Sequence, residues 1–393
     1  MVGLATRAGP TESCGNMSLT NALRTLKGRL SLDKEIVRSE GESDQDFVFR
    51  EYSVAARSKA LFVAAFVVLF VILVGYRITL GEYNISFADV YSTIWKHITG
   101  DVTDKVADNV VWMQRMPRVL TAILVGVGLA AAGAAMQSMM KNPLADPYTT
   151  GISSGASFGA TLAIGLGFTL FGLGGSAGTI LMAFIFALIP AAVIILVSSM
   201  KSTSAATMIL AGIAVMYLFN AMTTIIKLSL SETSLAAVYQ WSIGDLSGST
   251  WESFQVIAIF AVVGGAVLMA MSKKLNILIT GDKNAKALGL DAHKLRIALL
   301  IIISLMAASV VCFTGIIGFV GLVAPHIVRI FLGSDNRYLI PASAAFGAVL
   351  LMVSDLISRT IIAPTFLPVG VITAFIGCPM FLWLLIKARK SMW

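Results

Sequence analysis

Long stretches without a charged residue constrain this chain more than any other feature. The longest lies between Asp146 and Lys201 and contains 54 uncharged residues, and another between Arg296 and Arg329 contains 32. A helix that crosses a bilayer needs about 20 mostly apolar residues, because ions and unpaired backbone groups are costly in hydrocarbon. Charged residues make up 13% of the chain, well below the share of about 25% found in soluble domains. We therefore predict an all-α, polytopic membrane helix bundle.

The uncharged stretches predict about ten transmembrane helices within residues 60–393. A glycine-rich segment, 172–178, divides the longest stretch into two spans. The 32-residue stretch has three glycines in its middle and Pro325 near its end, so we expect a full span followed by a short or irregular one. The ten spans are expected within 60–76, 119–140, 147–200 (two), 202–226, 253–272, 297–328 (two), 338–354 and 360–386.

The positions of Lys and Arg predict the orientation of these spans. The connection 273–296 contains six basic residues, and the end of the chain is also basic, whereas the connection 227–252 is mainly acidic. Because cytoplasmic loops carry the positive excess, we expect 273–296 and both termini in the cytoplasm of a multi-pass protein of the plasma or inner membrane. Residues 1–59 mix nine basic and eight acidic residues without a long apolar run. They predict a mobile cytoplasmic extension.

Several chemistries lack the residues that they require. The chain has no Gly-x-x-x-x-Gly-Lys-Ser/Thr phosphate loop, only three histidines, and three cysteines without a Cys-x-x-Cys spacing. We therefore predict no ATPase or other enzymatic site, no metal site and no cofactor. The net charge of +8 comes from basic residues spread between apolar blocks, which indicates contact with membrane lipid and no nucleic-acid partner.

An ion-coupled secondary transporter that works without an ATPase is the alternative function. Such carriers place ionisable residues within their helices, and the candidates here are His326, Asp355 and Arg359. Asp355 and Arg359 are four residues apart, so we expect them to share a helix face and to neutralise each other. His326 near a helix end is expected to be structural.

Two clusters lie outside the apolar stretches. Arg115 and Arg118 precede a span, on the side of the membrane where Arg359 is also expected. These arginines either extend toward lipid headgroups or bind carboxylates of a partner. The second cluster, 281–290, predicts a short amphipathic helix with Ala285 and Leu288, ended by Gly289. That helix either lies on lipid or provides a contact for an attached motor.

The sequence resembles the FecCD family, the permease subunits of ABC importers for ferric siderophores, haem and cobalamin. The resemblance runs in family order through about 60–390. It rests on Arg115-Met-Pro-Arg118, Gly133-Ala-Ala-Met-Gln137, Asn142-Pro-Leu-Ala-Asp-Pro147, the stretch 281–290, the stretch 315–329, Gly333-Ser-Asp-Asn-Arg337 and Leu367-Pro-Val-Gly370.

The resemblance implies a type II ABC importer permease with ten helices. It also implies a second permease copy, two cytoplasmic ATP-binding subunits and an extracytoplasmic solute-binding protein. Three arginines would dock the binding protein: Arg115, Arg118 and Arg359. The segment 273–296 would hold the coupling helix, with Gly281, Asp282, Ala285, Leu288, Gly289 and Leu290. Ala205 and Ala206 stand where cobalamin-type members carry hydroxyl residues at the gate. The cargo stays open among siderophores, haem, cobalamin and oxyanions.

Overall fold

The computed structural model describes residues 74, 76, 78, 79, 85–200, 205–362 and 365–388. The N-terminal extension, the first predicted span except for residues 74 and 76, and residues 389–393 lie outside the described residues. Regular secondary structure within these ranges is helical throughout. The fourteen α-helices described are α1 (Phe87–Thr99), α2 (Lys105–Asp108), α3 (Met116–Met140), α4 (Ile152–Leu166), α5 (Gly175–Met200), α6 (Ala205–Lys227), α7 (Glu232–Ser242), α8 (Trp251–Ala270), α9 (Ser272–Ile279), α10 (Asp282–Ala287), α11 (Ala292–Thr314), α12 (Val320–Leu332), α13 (Asn336–Thr360) and α14 (Val369–Ala388).

Nine of the predicted spans coincide with apolar helices in the described part of the chain. Six helices there are long and apolar enough to cross a membrane: the continuous helix Lys105–Met140, which includes α3, and α5, α6, α8, α11 and α13. The other three, α4, α12 and α14, contain shorter apolar segments. The prediction of an all-helical membrane bundle is therefore confirmed.

The break inside the 32-residue stretch falls where the glycines predict it. α11 ends at Gly315, whose backbone φ of +68° lies in the left-handed region. A Cβ at this position would collide with the carbonyl oxygen of Trp241, so both conformation and space require glycine here. α12 then contains only 13 residues. A full span is thus followed by a short helix, as predicted.

Glycines bring α3 into backbone contact with two neighbouring helices. A Cβ on Gly126 would overlap the carbonyl of Gly347 in α13, and a Cβ on Gly133 would overlap the carbonyl of Gly321 in α12. Close approach of small residues is what holds helices together where the surrounding lipid offers no hydrophobic driving force. α3 is consequently the central helix of the bundle, with most of its side chains buried.

A π-helix that the sequence pattern does not predict directly precedes α3. It covers Asn109–Arg115. Trp112 within it stacks on His97 of α1 with ring centroids 4.0 Å apart, and its carbonyl accepts a hydrogen bond from Nε1 of Trp251 at 3.0 Å. His97 in turn contacts the Asp108 carboxylate at 2.8 Å. These contacts fix the entry to α3 against α1 and α8.

Candidate coupling and docking surfaces

The predicted short helix of the coupling segment is present as α10. Gly281 precedes it with a φ of +122°, and Gly289 follows with a φ of +77°. The N–H of Gly289 donates to the carbonyl of Lys286 at 3.0 Å, and the N–H of Leu290 donates to the carbonyl of Ala285 at 2.9 Å. This pair of bonds is the Schellman arrangement that ends helices at a left-handed glycine.

The apolar face predicted for this helix is wrong in one respect. Ala285 is fully buried, whereas the side chain of Leu288 is 68% exposed at the C-terminal end of α10. The two residues therefore do not share one face, because Leu288 belongs to the cap and not to the helical turn beneath it. Lys283 and Lys286 are exposed on the same short helix. We call this exposed leucine with its neighbouring lysines the coupling tip.

One carboxylate on α10 receives hydrogen bonds from two other parts of the bundle. The guanidinium of Arg296 in α11 donates to both oxygens of Asp282, at 2.7 and 2.9 Å, and Nζ of Lys141 donates at 3.0 Å. Lys141 is the residue that ends α3. Hydrogen bonding from Arg296 above all, together with Lys141, holds the pKa of Asp282 well below its usual range. This carboxylate is therefore ionised at neutral pH and links α10 to α3 and α11.

A buried amide network anchors the other helix of the segment, α9. Asn276 donates to Asp335 at 2.7 Å, and its side-chain oxygen accepts from the backbone and the side chain of Asn336 at 2.8 and 2.9 Å. Asn336 also accepts from the hydroxyl of Ser138 in α3 at 2.7 Å. Asn336 and Ser138 are buried. α9 is thereby attached to the start of α13 and to the end of α3.

A buried ion pair joins α3 and α13 at the ends of these helices that lie away from α9. Nε and Nη2 of Arg118 donate to one oxygen of Asp355 in α13, at 3.0 and 2.7 Å. Both side chains are almost completely buried. Nη2 of Arg118 also lies 3.9 Å from Asp245, in the connection between α7 and α8. Spacing along one helix predicted Arg359 as a partner of Asp355, but it did not predict Arg118, which is 237 residues away in the chain.

The three arginines predicted to dock a partner lie in different environments. Arg115 is buried and donates to the carbonyl oxygens of Ile78 and Thr79 at 2.7 and 3.2 Å. Arg118 is buried against Asp355. Arg359 is partly exposed, with its guanidinium 5.5 Å from the centre of the Phe366 ring. Arg359 is therefore the most accessible of the three.

The predicted gate residues begin α6. Ala205 is partly exposed and Ala206 is exposed. Further along α6, Leu210, Tyr217 and Ile225 also expose most of their surface. This helix presents an apolar face away from the bundle, which in a membrane contacts lipid or another protein.

Comparison with known proteins decides the class of this bundle. The model of the FecCD transport family matches residues 67–387. The chain belongs to the FecCD transport family.

Two relatives and one solved structure show how far the similarity extends. This FecCD permease is 38% identical to the ABC transporter permease protein MJ0087 of Methanocaldococcus jannaschii over 87% of this chain and 98% of that protein. It is 34% identical to the hemin transport system permease protein HmuU of Yersinia pestis over 82% and 95%. A metal-chelate-type ABC transporter in an inward-facing conformation matches with a TM-score of 0.73 and 29% identity, over 83% of this chain and 98% of that one.

Family membership makes this FecCD permease a membrane-embedded transport subunit. Its relatives include the hemin permease HmuU and a vitamin B12 import system permease protein of Vibrio parahaemolyticus. The sequence pattern pointed to Asp282 in the coupling segment, whereas Arg296 entered only as a charge that bounds an apolar stretch and Lys141 did not stand out. Asn276 and Ser138 gave no signal, and Asn336 entered only as part of the motif Gly333-Ser-Asp-Asn-Arg337. Such polar contacts join residues that are far apart in the chain, and only the packing of α3 against α11 and α13 brings them together.

Proposed function

We propose that this permease is the transmembrane subunit of an importer that carries a metal chelate of the haem type into the cell. Separate cytoplasmic ATP-binding subunits provide the energy, and an extracytoplasmic solute-binding protein delivers the cargo. The observation that carries the proposal is the coupling tip, an exposed leucine on a helix that is anchored to the bundle by Asp282. The absence of a phosphate loop from the sequence and the similarity to HmuU support it.

The coupling tip has the composition of a contact for another protein. Leu288 offers an apolar anchor, and the surrounding lysines favour a partner groove with acidic residues at its rim. Positive charge at this end of the molecule favours a cytoplasmic location, which is where we expect the ATP-binding subunits. We therefore place Leu288 in a groove of an ATP-binding subunit, with Ala205 and Ala206 at the gate on the same side of the membrane.

The opposite end of the bundle receives the solute-binding protein in this proposal. Arg359 is the side chain most accessible to a carboxylate of that protein. Arg115 and Arg118 already donate hydrogen bonds within the bundle. We therefore expect them to hold this surface in place, while Arg359 contacts the partner. A charged contact of this kind mainly increases the association rate and selects the correct partner.

The cargo crosses between two permease copies in this proposal. The exposed apolar face of α6 and the exposed Phe375 of α14 would line an apolar path shared by the two copies. Such a path binds a bulky chelate weakly and releases it easily. Movement of the two copies about their common axis then opens the path alternately to each side.

The coupling tip provides the direct experiment. We expect Leu288→Glu to weaken the binding of the purified ATP-binding subunits by about tenfold or more, because an unpaired carboxylate would be buried in an apolar groove. Affinity is measured on the permease in nanodiscs. Leu288→Met, which keeps an apolar side chain of similar size, is the matched control and should retain binding. Equal affinity of wild type and Leu288→Glu would exclude the tip as the contact.

A further inference from the structure

The short coupling helix is too small to transmit force through its own packing. α10 has six residues, and Ala285 is the residue that it buries. An alanine contributes little contact area, and a six-residue helix is marginal in water without tertiary contacts. The hydrogen bonds of Asp282 therefore contribute strongly to the position of α10 relative to α3 and α11.

Arg296 is built to hold that carboxylate in one orientation. Its side chain is almost fully buried near the start of α11, and it meets both carboxylate oxygens. Its Nε also lies 3.5 Å from the carbonyl oxygen of Met139 in the last turn of α3. A two-pronged arginine–carboxylate contact fixes direction as well as distance, which a lysine does not.

Lys141 completes the junction from the end of α3. Its backbone adopts the left-handed conformation with a φ of +51°. Its ammonium group donates to Oδ1 of Asp282 at 3.0 Å. One carboxylate thus joins three helices: α3, α10 and α11.

We infer that Arg296 and Lys141 are positioning residues that make α3 and α11 follow the coupling helix when the ATP-binding subunits move it. This inference rests on the proposed function, because it specifies how motion at the coupling tip reaches the spans. It differs from a purely structural role, since loss of the junction would leave Leu288 seated in its partner while the spans no longer follow. ATP hydrolysis would then continue while transport is lost.

The test measures uptake and ATP hydrolysis in the same proteoliposomes, containing the full complex with its binding protein and haem as the probe. The readout is haem taken up for each ATP hydrolysed. We expect Arg296→Gln to lower this ratio by about tenfold, within the usual range of coupling between sites, while hydrolysis is retained. Arg296→Lys, which keeps the charge but not the two-pronged contact, should give an intermediate ratio.

Two further variants keep the test decisive. Lys141→Gln removes the partly exposed contact and should also lower the ratio, so it replaces Arg296→Gln if that variant fails to assemble. Lys294→Gln removes a charge from the same region, on a side chain that is 85% exposed and contacts only Asp291 among the ion pairs described. It should leave the ratio unchanged.

The inference is overturned if Arg296→Gln and Lys141→Gln complexes transport haem with the wild-type ratio. It is also overturned if uptake and hydrolysis fall in proportion, because the residues would then act on assembly alone. If the wild-type complex itself shows no ATP-dependent uptake, the proposed function is wrong. That result is distinct from a failure of the positioning role of Arg296 and Lys141. The wild-type measurement therefore separates the two failures.

Discussion

At the residue scale, the buried ion pair between Arg118 and Asp355 links α3 to α13. Removing one member of a buried ion pair leaves the other charge without compensation and costs about 3–5 kcal/mol. We expect Arg118→Gln to lower the thermal unfolding temperature in detergent substantially. Asp245→Asn, at the longer distance of 3.9 Å and on a partly exposed side chain, should change it little.

A double variant separates this explanation from a general packing defect. Arg118→Gln combined with Asp355→Asn removes both charges and should recover part of the lost stability. If Arg118→Gln unfolds at the wild-type temperature, the pair does not stabilise the fold.

The sequence identified both residues of this pair but not the pairing. Spacing along one helix suggested Asp355 with Arg359, since residues four apart are neighbours on a helix. Arg118 lies on another helix, and the tight crossing of α3 and α13 brings it to Asp355. The coupling helix shows the same limit, because the sequence predicts its end at Gly289 but not the exposure of Leu288.

At the element scale, the packing of α3 against α13 depends on missing side chains. We expect Gly126→Ala to destabilise the protein by about 1–3 kcal/mol, because the added methyl group meets backbone of α13 that cannot move aside. Gly128→Ala is the matched control on the same helix. Its Cβ would lie 3.5 Å from Cβ of Ala261, an ordinary contact.

Thermal unfolding of both variants in the same detergent checks this prediction. Gly128→Ala should equal or slightly exceed the wild-type stability, since alanine favours a helix over glycine by about 1 kcal/mol. Equal stability of the two variants would contradict the close backbone crossing.

The spans were predictable because charge is so costly in hydrocarbon that its absence marks each one, and Gly315 even marked the break between α11 and α12. The π-helix of 109–115 was not predictable from the same residues. The contacts of Trp112 with His97 in α1 and Trp251 in α8 join residues that the sequence pattern does not bring together.

At the scale of the whole molecule, α3 and α13 connect the two ends at which we propose partner surfaces. Ser138 and Asn336 join them beside the coupling segment, and Arg118 and Asp355 join them at the other end. A helix of 25 residues is about 37 Å long, so this pair reaches across the membrane. Both proposed partner surfaces are therefore attached to one rigid pair of helices.

The proposed docking of the solute-binding protein makes a prediction for the far end of this pair. We expect Arg359→Glu to weaken binding of that protein by about fivefold or more at low salt, with a smaller effect at high salt, because ions screen charges near the surface. Lys294→Glu makes the same charge change at the opposite end and should have no effect. Surface plasmon resonance on nanodiscs measures both, and equal affinities of wild type and Arg359→Glu at low salt would remove the docking role.

We propose that this permease has no energy source of its own and is driven by ATP-binding subunits at its coupling tip. The most direct measurement is haem accumulation in proteoliposomes that contain the permease with or without those subunits, with ATP inside and the binding protein present. We predict accumulation against the gradient only when the subunits and hydrolysable ATP are both present, and no effect of collapsing the ion gradient. Accumulation by the permease without the subunits, powered by an imposed ion gradient, would contradict the claim and support an ion-coupled carrier.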